Sequence, residues 1–271
     1  PLNFLTAPGQ YHRQIQQAGI ELCTARHASW IFSIPDLDHS DKAVAFTNGE
    51  YNATTPGGNA VPTIDVPYPP LAVVDSDQAF CAHTWVNYFD QYSNADVWEP
   101  PEGDIYARIG DVDRNYAPWF PICGIRRGGL ANTSAIKYSP TEGERERMLG
   151  LYGQRIEVVN PLVDFTGEGL FLYGESTMAR RATAMDRLHS RWTANLIALE
   201  LIRSGRSFPF ELNDSILWRE ISATVDAILR PIKAQRGIED YRIVCDGTTT
   251  TPAVAAQKRA LCKIFIKFTE T

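Results

Sequence analysis

No apolar run in the 271-residue chain approaches the ~20 residues that a membrane-spanning helix needs. The opening Pro1-Leu2-Asn3-Phe4-Leu5-Thr6 has neither the charge nor the length of a secretory signal, so no membrane partner is expected. A basic tail is also missing. Against 32 Asp and Glu stand 26 Lys and Arg, and the net charge of −6 is mixed along the chain, which argues against a general nucleic-acid or anionic-lipid surface. Cysteine is sparse and unpatterned: Cys23, Cys81, Cys123, Cys245 and Cys262 contain no C-x-x-C, which points to free thiols in a reducing compartment rather than a disulfide framework. The five histidines form no H-x-x-x-H or H-x-H pair, and Asp36-x-Asp38 and Asp75-x-Asp77 lack the rest of a calcium loop. Neither a metal nor a cofactor is therefore expected. Asn52, Asn132 and Asn213 open glycosylation-type triplets, which are chance matches in a sequence with no secretory signal.

What the chain does have is a core. With 44% hydrophobic residues it can bury roughly 75% of its unfolded surface and form one large or two modest domains. Thr6 to Gly9 reads as a turn, and Ile15, Ala18, Gly19 and Leu22 recur at helical spacing over 10–25. Ser29 to Ile34, stopped by Pro35, reads as a short buried strand, so the segment is an α/β half-unit of the kind that builds parallel sheets. Residues 47–70, rich in Asn, Thr, Gly and Pro, read as an irregular excursion. Strands are expected at 71–74 and 82–89. Ser139-Pro140-Thr141-Glu142 reads as a capped helix start, with the helix running to about Tyr152 and feeding a strand at 156–159. A long helix is expected over 182–204. Asn213-Asp214 caps another, with Leu217, Ile221, Val225, Ile228 and Leu229 on its apolar face and Pro231 as its stop. Residues 241–245 and 262–268 read as strands. In the second, Cys262, Ile264, Ile266 and Phe268 alternate with Lys263, Phe265 and Lys267, which gives one buried face.

The chain is organised around residues 158–192. Asn160-Pro161 and Gly167-Glu168-Gly169 punctuate it, Leu170 to Tyr173 has strand length, and helical periodicity follows from about Ala182. The first Gly-x-Gly lacks the third glycine of a dinucleotide loop and precedes a strand, so it is a turn. Ser176 in Gly174-Glu175-Ser176-Thr177-Met178 invites comparison with the nucleophile elbow of α/β hydrolases, but Met178 stands where that pattern needs glycine. A hydrolase pairing Ser176 with His189 or His83 is the alternative reading. A turn or cap hydroxyl is the simpler one.

Taken whole, this stretch resembles the C-terminal domain of contractile tail sheath proteins, whose pattern is approximately N-P-[IV]-x-D-F-x-G-E-G-[IL]-x-[LV]-[WY]-G-x-x-T and then D-R-[IL]-x-x-R-R. Asn160, Pro161, Asp164, Phe165, Gly167, Glu168, Gly169, Gly174, Thr177, Asp186, Arg187 and Arg191 fall on it in order, with Trp192 in place of the last arginine. The resemblance extends through Phe210 to Asp214, Trp218 and Tyr241 to Asp246, and more loosely to Pro8-Gly9, Ala25-Arg26 and Ala107 to Arg127-Gly128. It implies a mixed α/β fold, with a subtilisin-like α/β domain over 1–130, containing the excursion at 47–70, packed on a smaller α/β domain over 131–271. It implies no catalytic residues, because fold does not carry function.

The function it implies is structural: a phage tail sheath subunit, located in the virion, that polymerises around the tail tube and contracts on release by the baseplate. Other sheath subunits, the tube protein and the baseplate are the expected partners. In relatives, terminal arms add strands to a neighbour's sheet, a form of β-augmentation. That makes the strand edge at Cys262, Lys263, Ile264, Phe265, Ile266, Lys267 and Phe268 the expected docking edge. The same resemblance places Lys258 and Arg259 toward the tube. The chain does not open on Met and stops within a few residues of its last strand, so it is expected to be an arm-less fragment and, alone, a monomer.

Overall fold

The computed structural model describes residues 4–36, 40–47, 74–149 and 158–269. The excursion at 48–70, most of the strand expected at 71–74, the end of the helix expected to reach Tyr152 and the first half of the strand at 156–159 lie outside the described residues. The chain divides into two compact units, Pro1–Trp192 and Thr193–Thr271.

The first unit is built on a five-stranded sheet in the order β1 (Phe4–Leu5), β2 (Ser29–Ser33), β3 (Ala79–His83), β7 (Asn160–Phe165), β8 (Gly169–Leu172). Strand β1 (Phe4–Leu5) precedes helix α1 (Arg13–Arg26), which leads into β2 (Ser29–Ser33), so the half-unit expected from periodicity is present. His27 ends α1 in the left-handed region at φ 53°. Strand β2 is buried along its whole length, as a central parallel strand must be. After α2 (Ser40–Thr47) comes β3 (Ala79–His83), parallel to β2 with Ile31 opposite Phe80, and both faces of this strand are also buried. Gly19 lets α1 lie close on the sheet: a Cβ there would come within 2.5 Å of the Trp30 ring. The Trp30 indole donates to the buried Gln16 side chain at 2.6 Å, which satisfies the indole N–H.

The single strand expected over 82–89 is two strands in two sheets. β3 ends at His83, and β4 (Val86–Asp90) pairs antiparallel with β5 (Ala95–Glu99) and with β6 (Ala135–Ile136). Alternation at Val86, Tyr88 and Asp90 sets one face of this second sheet, and a change of sheet at Thr84–Trp85 is invisible to a periodicity count. Helix α3 (Glu102–Asn115) follows, and Glu102 in its first turn accepts from the Ser33 backbone at 2.9 Å and the Ser33 hydroxyl at 2.8 Å.

Helix α4 spans Glu142–Met148, and its cap is Thr141, not Ser139. The Ser139 hydroxyl instead accepts from the Asp164 backbone at 3.0 Å, while Thr141 and Glu144 form a reciprocal capping box. Strand β7 (Asn160–Phe165) joins β3 in parallel, with Ala82 opposite Asn160, and turns back into antiparallel β8 (Gly169–Leu172). The seam expected at 130/131 therefore lies inside the first unit, because β7 continues the sheet begun by β1 to β3. Helix α5 spans Leu188–Ser204, six residues shorter at its start than periodicity predicts. Residues 183–187 are diverted into a turn in which the Thr177 N–H donates to the Asp186 carbonyl at 2.9 Å.

The second unit contains helix α6 (Ser215–Ala234), strand β9 (Ile238–Val244), short helix α7 (Pro252–Ala256) and strand β10 (Lys263–Phe268). Asp214 caps α6, accepting from Ile216 and Leu217 at 2.9 and 3.0 Å. Pro231 does not stop this helix. It lies in the last turn and its carbonyl still accepts from Gln235 at 3.0 Å, and the chain leaves through Arg236 at φ 70°. Leu217, Val225 and Leu229 are buried on one face, and α6 packs on β9. β9 and β10 form a two-stranded antiparallel sheet with Ile264 opposite Ile243 and Ile266 opposite Tyr241.

Candidate functional site

The twelve motif residues all lie in the first unit, beginning at a buried asparagine. Asn160 is fully buried, and its amide makes three hydrogen bonds: Nδ2 donates to the Cys81 carbonyl at 2.9 Å and the Ser176 carbonyl at 2.8 Å, while Oδ1 accepts from the Ser176 N–H at 2.7 Å. Only an amide offers two donors and an acceptor in this arrangement. It therefore ties β3, β7 and the loop after β8 together. Gly174 is required for the approach, since a Cβ there would lie 2.8 Å from Asn160 Oδ1 and 2.8 Å from Leu149 Cδ2. Pro161 sits opposite His83, and its carbonyl accepts from Tyr173 at 2.9 Å.

Asp164 and Glu168 are exposed at the β7–β8 hairpin, where Gly167 (φ 86°) and Gly169 (φ 115°) make the turn. Phe165 stacks edge-on with Tyr173 at 5.0 Å, and the Arg145 guanidinium lies over both rings. Thr177 is buried, and its hydroxyl donates to the Met185 carbonyl at 3.1 Å. Arg187 donates to the Ser176 hydroxyl at 2.9 Å and lies 3.8 Å from Asp186, while Arg191 pairs with Asp77 at 3.0 Å. Trp192, where the family pattern has arginine, is buried and stacks edge-on with Phe4 at 4.9 Å. An apolar contact to β1 occupies the place of a charge. Together these contacts clamp the loop between β8 and α5 onto the sheet.

The same geometry lends no support to a hydrolase built on Ser176. Ser176 is buried and its hydroxyl faces Arg187, a group that cannot act as a base. His189 instead bonds Glu175 through Nδ1 at 2.9 Å and lies 3.2 Å from the Ser190 hydroxyl, and all three side chains are buried. A cleft of about 250 Å³ lies elsewhere in this unit, lined by Arg108, Asp111, Tyr116, Ile125, Arg126 and Arg127. Arg127 donates to the Pro121 carbonyl at 2.7 Å and lies over the Tyr116 and Phe120 rings. Among the described residues no group of three or more His, Cys, Asp or Glu could hold a metal ion.

In the second unit, β9 is the only strand that pairs with β10 among the described residues. Lys263, Phe265 and Lys267 are exposed, with Phe265 at 56%, and Ile264 and Ile266 are half-buried on the opposite face. Cys262 lies one residue before the strand. Lys258 and Arg259 are exposed beyond the end of α7, with Lys258 left-handed at φ 59°. The Arg259 carbonyl accepts from Asn213 Nδ2 at 2.9 Å, and Asn213 Oδ1 accepts from the Trp218 indole at 2.8 Å. The pivotal Glu102–Ser33 link escaped sequence reasoning. Its carboxyl is pushed up by burial, against the Ser33 hydrogen bonds that pull it down.

No family model matches the chain. It is 28% identical over 179 residues to the tail sheath protein of Vibrio phage KVP40, and 27% identical over 179 residues to that of Enterobacteria phage T4. Each match covers 66% of this chain and 26% of the relative, so the chain spans about a quarter of the length of these curated relatives. Among solved structures, the PVC sheath complex of an extracellular contractile injection system in the contracted state superposes with a TM-score of 0.77 at 17% identity. That superposition covers 100% of this chain and 68% of the other. A chain of the anti-feeding prophage baseplate gives 0.72 at 15% identity, over 99% of this chain and 65% of the other. The chain is thus a homologue of phage tail sheath proteins, built on the α/β fold found in contractile injection system sheaths.

Proposed function

We propose that the chain is part of a structural subunit of a bacteriophage contractile tail sheath, which polymerises around the tail tube and contracts to drive the tube through the host envelope. The observation that carries this reading is the coincidence of two likenesses. The sequence match is to phage tail sheath proteins, and the superposition on contractile sheath chains extends over essentially the whole chain. The chain acts by assembly rather than catalysis, and its place is the virion. Its partners are further sheath subunits, the tube protein and the baseplate.

Each unit has a part in this. The clamped sheet of residues 4–192 serves as a rigid body, and the strand edge at 262–268 accepts a neighbour's arm. Two packings of such rigid bodies, separated by a barrier, store free energy without nucleotide. Lys258 and Arg259 face the tube. The test is electron microscopy of the full-length subunit expressed alone: tubular polysheaths are expected, and a uniformly monomeric product at high concentration would sink the reading.

A further inference from the structure

We infer that Cys245 and Cys262 form a reversible cross-strand disulfide that closes the loop between β9 and β10, a modification independent of the sheath reading. The last paired positions of the ladder are Val244 and Lys263, so Cys245 and Cys262 are the next pair outward. Directly opposed residues of antiparallel strands lie about 4.5–5.5 Å apart at Cα. Disulfides need about 4.4–6.8 Å, a range that contains this spacing. The two side chains also share a face. Tyr241, Ile243 and Cys245 alternate along β9 on the half-buried side, opposite Ile266, Ile264 and Cys262, and side chains of opposed residues on one face meet.

Both cysteines are free and partly exposed, so a small reagent can reach them; in the other unit Cys23 and Cys81 are buried and Cys123 is partly exposed. Metal binding is the competing use of two thiols. It lacks further ligands, because no group of three or more His, Cys, Asp or Glu occurs among the described residues. Burial, and next the charge of Cys245, push the Cys262 thiol up to about 12, so exchange at that sulfur is slow at neutral pH.

The oxidant is a low-molecular-weight disulfide such as glutathione disulfide. One protein thiolate attacks a glutathione sulfur and expels a glutathione thiolate. The second protein thiolate then attacks the protein sulfur of the mixed disulfide and expels the other. Two protein thiols lose two protons and two electrons, and glutathione disulfide becomes two molecules of glutathione. The bond closes residues 246–261 into a ring that contains α7, Lys258 and Arg259.

The test uses the folded chain with glutathione disulfide, followed by intact mass and non-reducing peptide mapping. The expected product is a loss of about 2 Da with a bridged Cys245–Cys262 peptide. Cys245→Ser and Cys262→Ser should each retain one glutathione at the remaining sulfur instead. A nick by trypsin at the exposed Lys258 or Arg259 should leave the two fragments joined in the oxidised protein and separate after dithiothreitol. Wild-type protein that keeps glutathione on both cysteines, or whose nicked fragments separate without reductant, would overturn the proposal.

Discussion

At the scale of the residue, Asn160 carries more of the first unit than any charge does. Its three bonds are made in a fully buried site, so truncation leaves the Ser176 N–H, the Ser176 carbonyl and the Cys81 carbonyl without that partner. Each buried polar group left unpaired costs about 1–3 kcal/mol. Asn160→Ala should therefore lower stability by about 3 kcal/mol or more, read as a fall in the urea midpoint. Asn160→Asp keeps the acceptor for Ser176 but loses both donated bonds and buries a carboxylate, so it should be no better than alanine. An aspartate variant as stable as wild type would show that the amide is not the tie.

Elements bring a second kind of argument, since their ends are held by single side chains. Burial would raise the Glu144 carboxyl, but hydrogen bonds from the Thr141 hydroxyl and backbone, Tyr138 and Ser40 outweigh it and hold it at about 2 against an ordinary 4.5. A carboxyl depressed in the folded state gives stability that is fully present above its unfolded value and lost as pH falls through the folded one. The helix-start contribution should thus fade between about pH 4.5 and pH 2. Glu144→Gln should flatten that part of the acid limb, lowering the urea midpoint at neutral pH while leaving it little changed near pH 2. In α6, Asp214→Ala removes a cap bonded to two N–H groups and should cost about 1 kcal/mol in thermal or urea unfolding.

The elements also show where sequence reasoning reaches its limit. Helix α1, strand β2, the Asp214 cap and the alternation in β10 were legible because each is a local pattern. Ser139 reads as the cap of a helix start because nothing local reveals that Asp164, 25 residues on, bonds its hydroxyl. Helical periodicity over residues 183–187 places the start of α5 too early, because these residues satisfy the Thr177 turn instead. Helix α3 and the β4–β5 hairpin went unread for a related reason. Pro100-Pro101 reads as a break, yet Pro101 is the residue at which α3 begins. The motif residues were legible as a pattern, while the clamp they build depends on long-range bonds that spacing does not encode.

On the scale of the whole molecule, the proposed sheath role, holding a tube when extended and releasing it on contraction, calls for contacts that are weak singly and strong by repetition. Lys258 and Arg259 suit such a role. Both are exposed past the end of α7, and the backbone beneath them is fixed by the Asn213 bond to the Arg259 carbonyl. Exposed ion pairs to acidic tube groups are worth only about 0–1 kcal/mol each. A ring of subunits repeats them, and the avidity of repeated contacts exceeds any one of them. Screening adds a second signature, because exposed pairs weaken as the Debye length falls from about 10 Å at 0.1 M salt to about 3 Å at 1 M. Reversing both cations, Lys258→Glu with Arg259→Glu, in the full-length subunit mixed with its tube protein should abolish extended sheath-on-tube assembly in electron micrographs, while tube-free contracted polysheaths still form. Wild-type extended assembly should in turn decline with salt. If the double variant assembles on the tube normally, the tube contact lies elsewhere on the subunit.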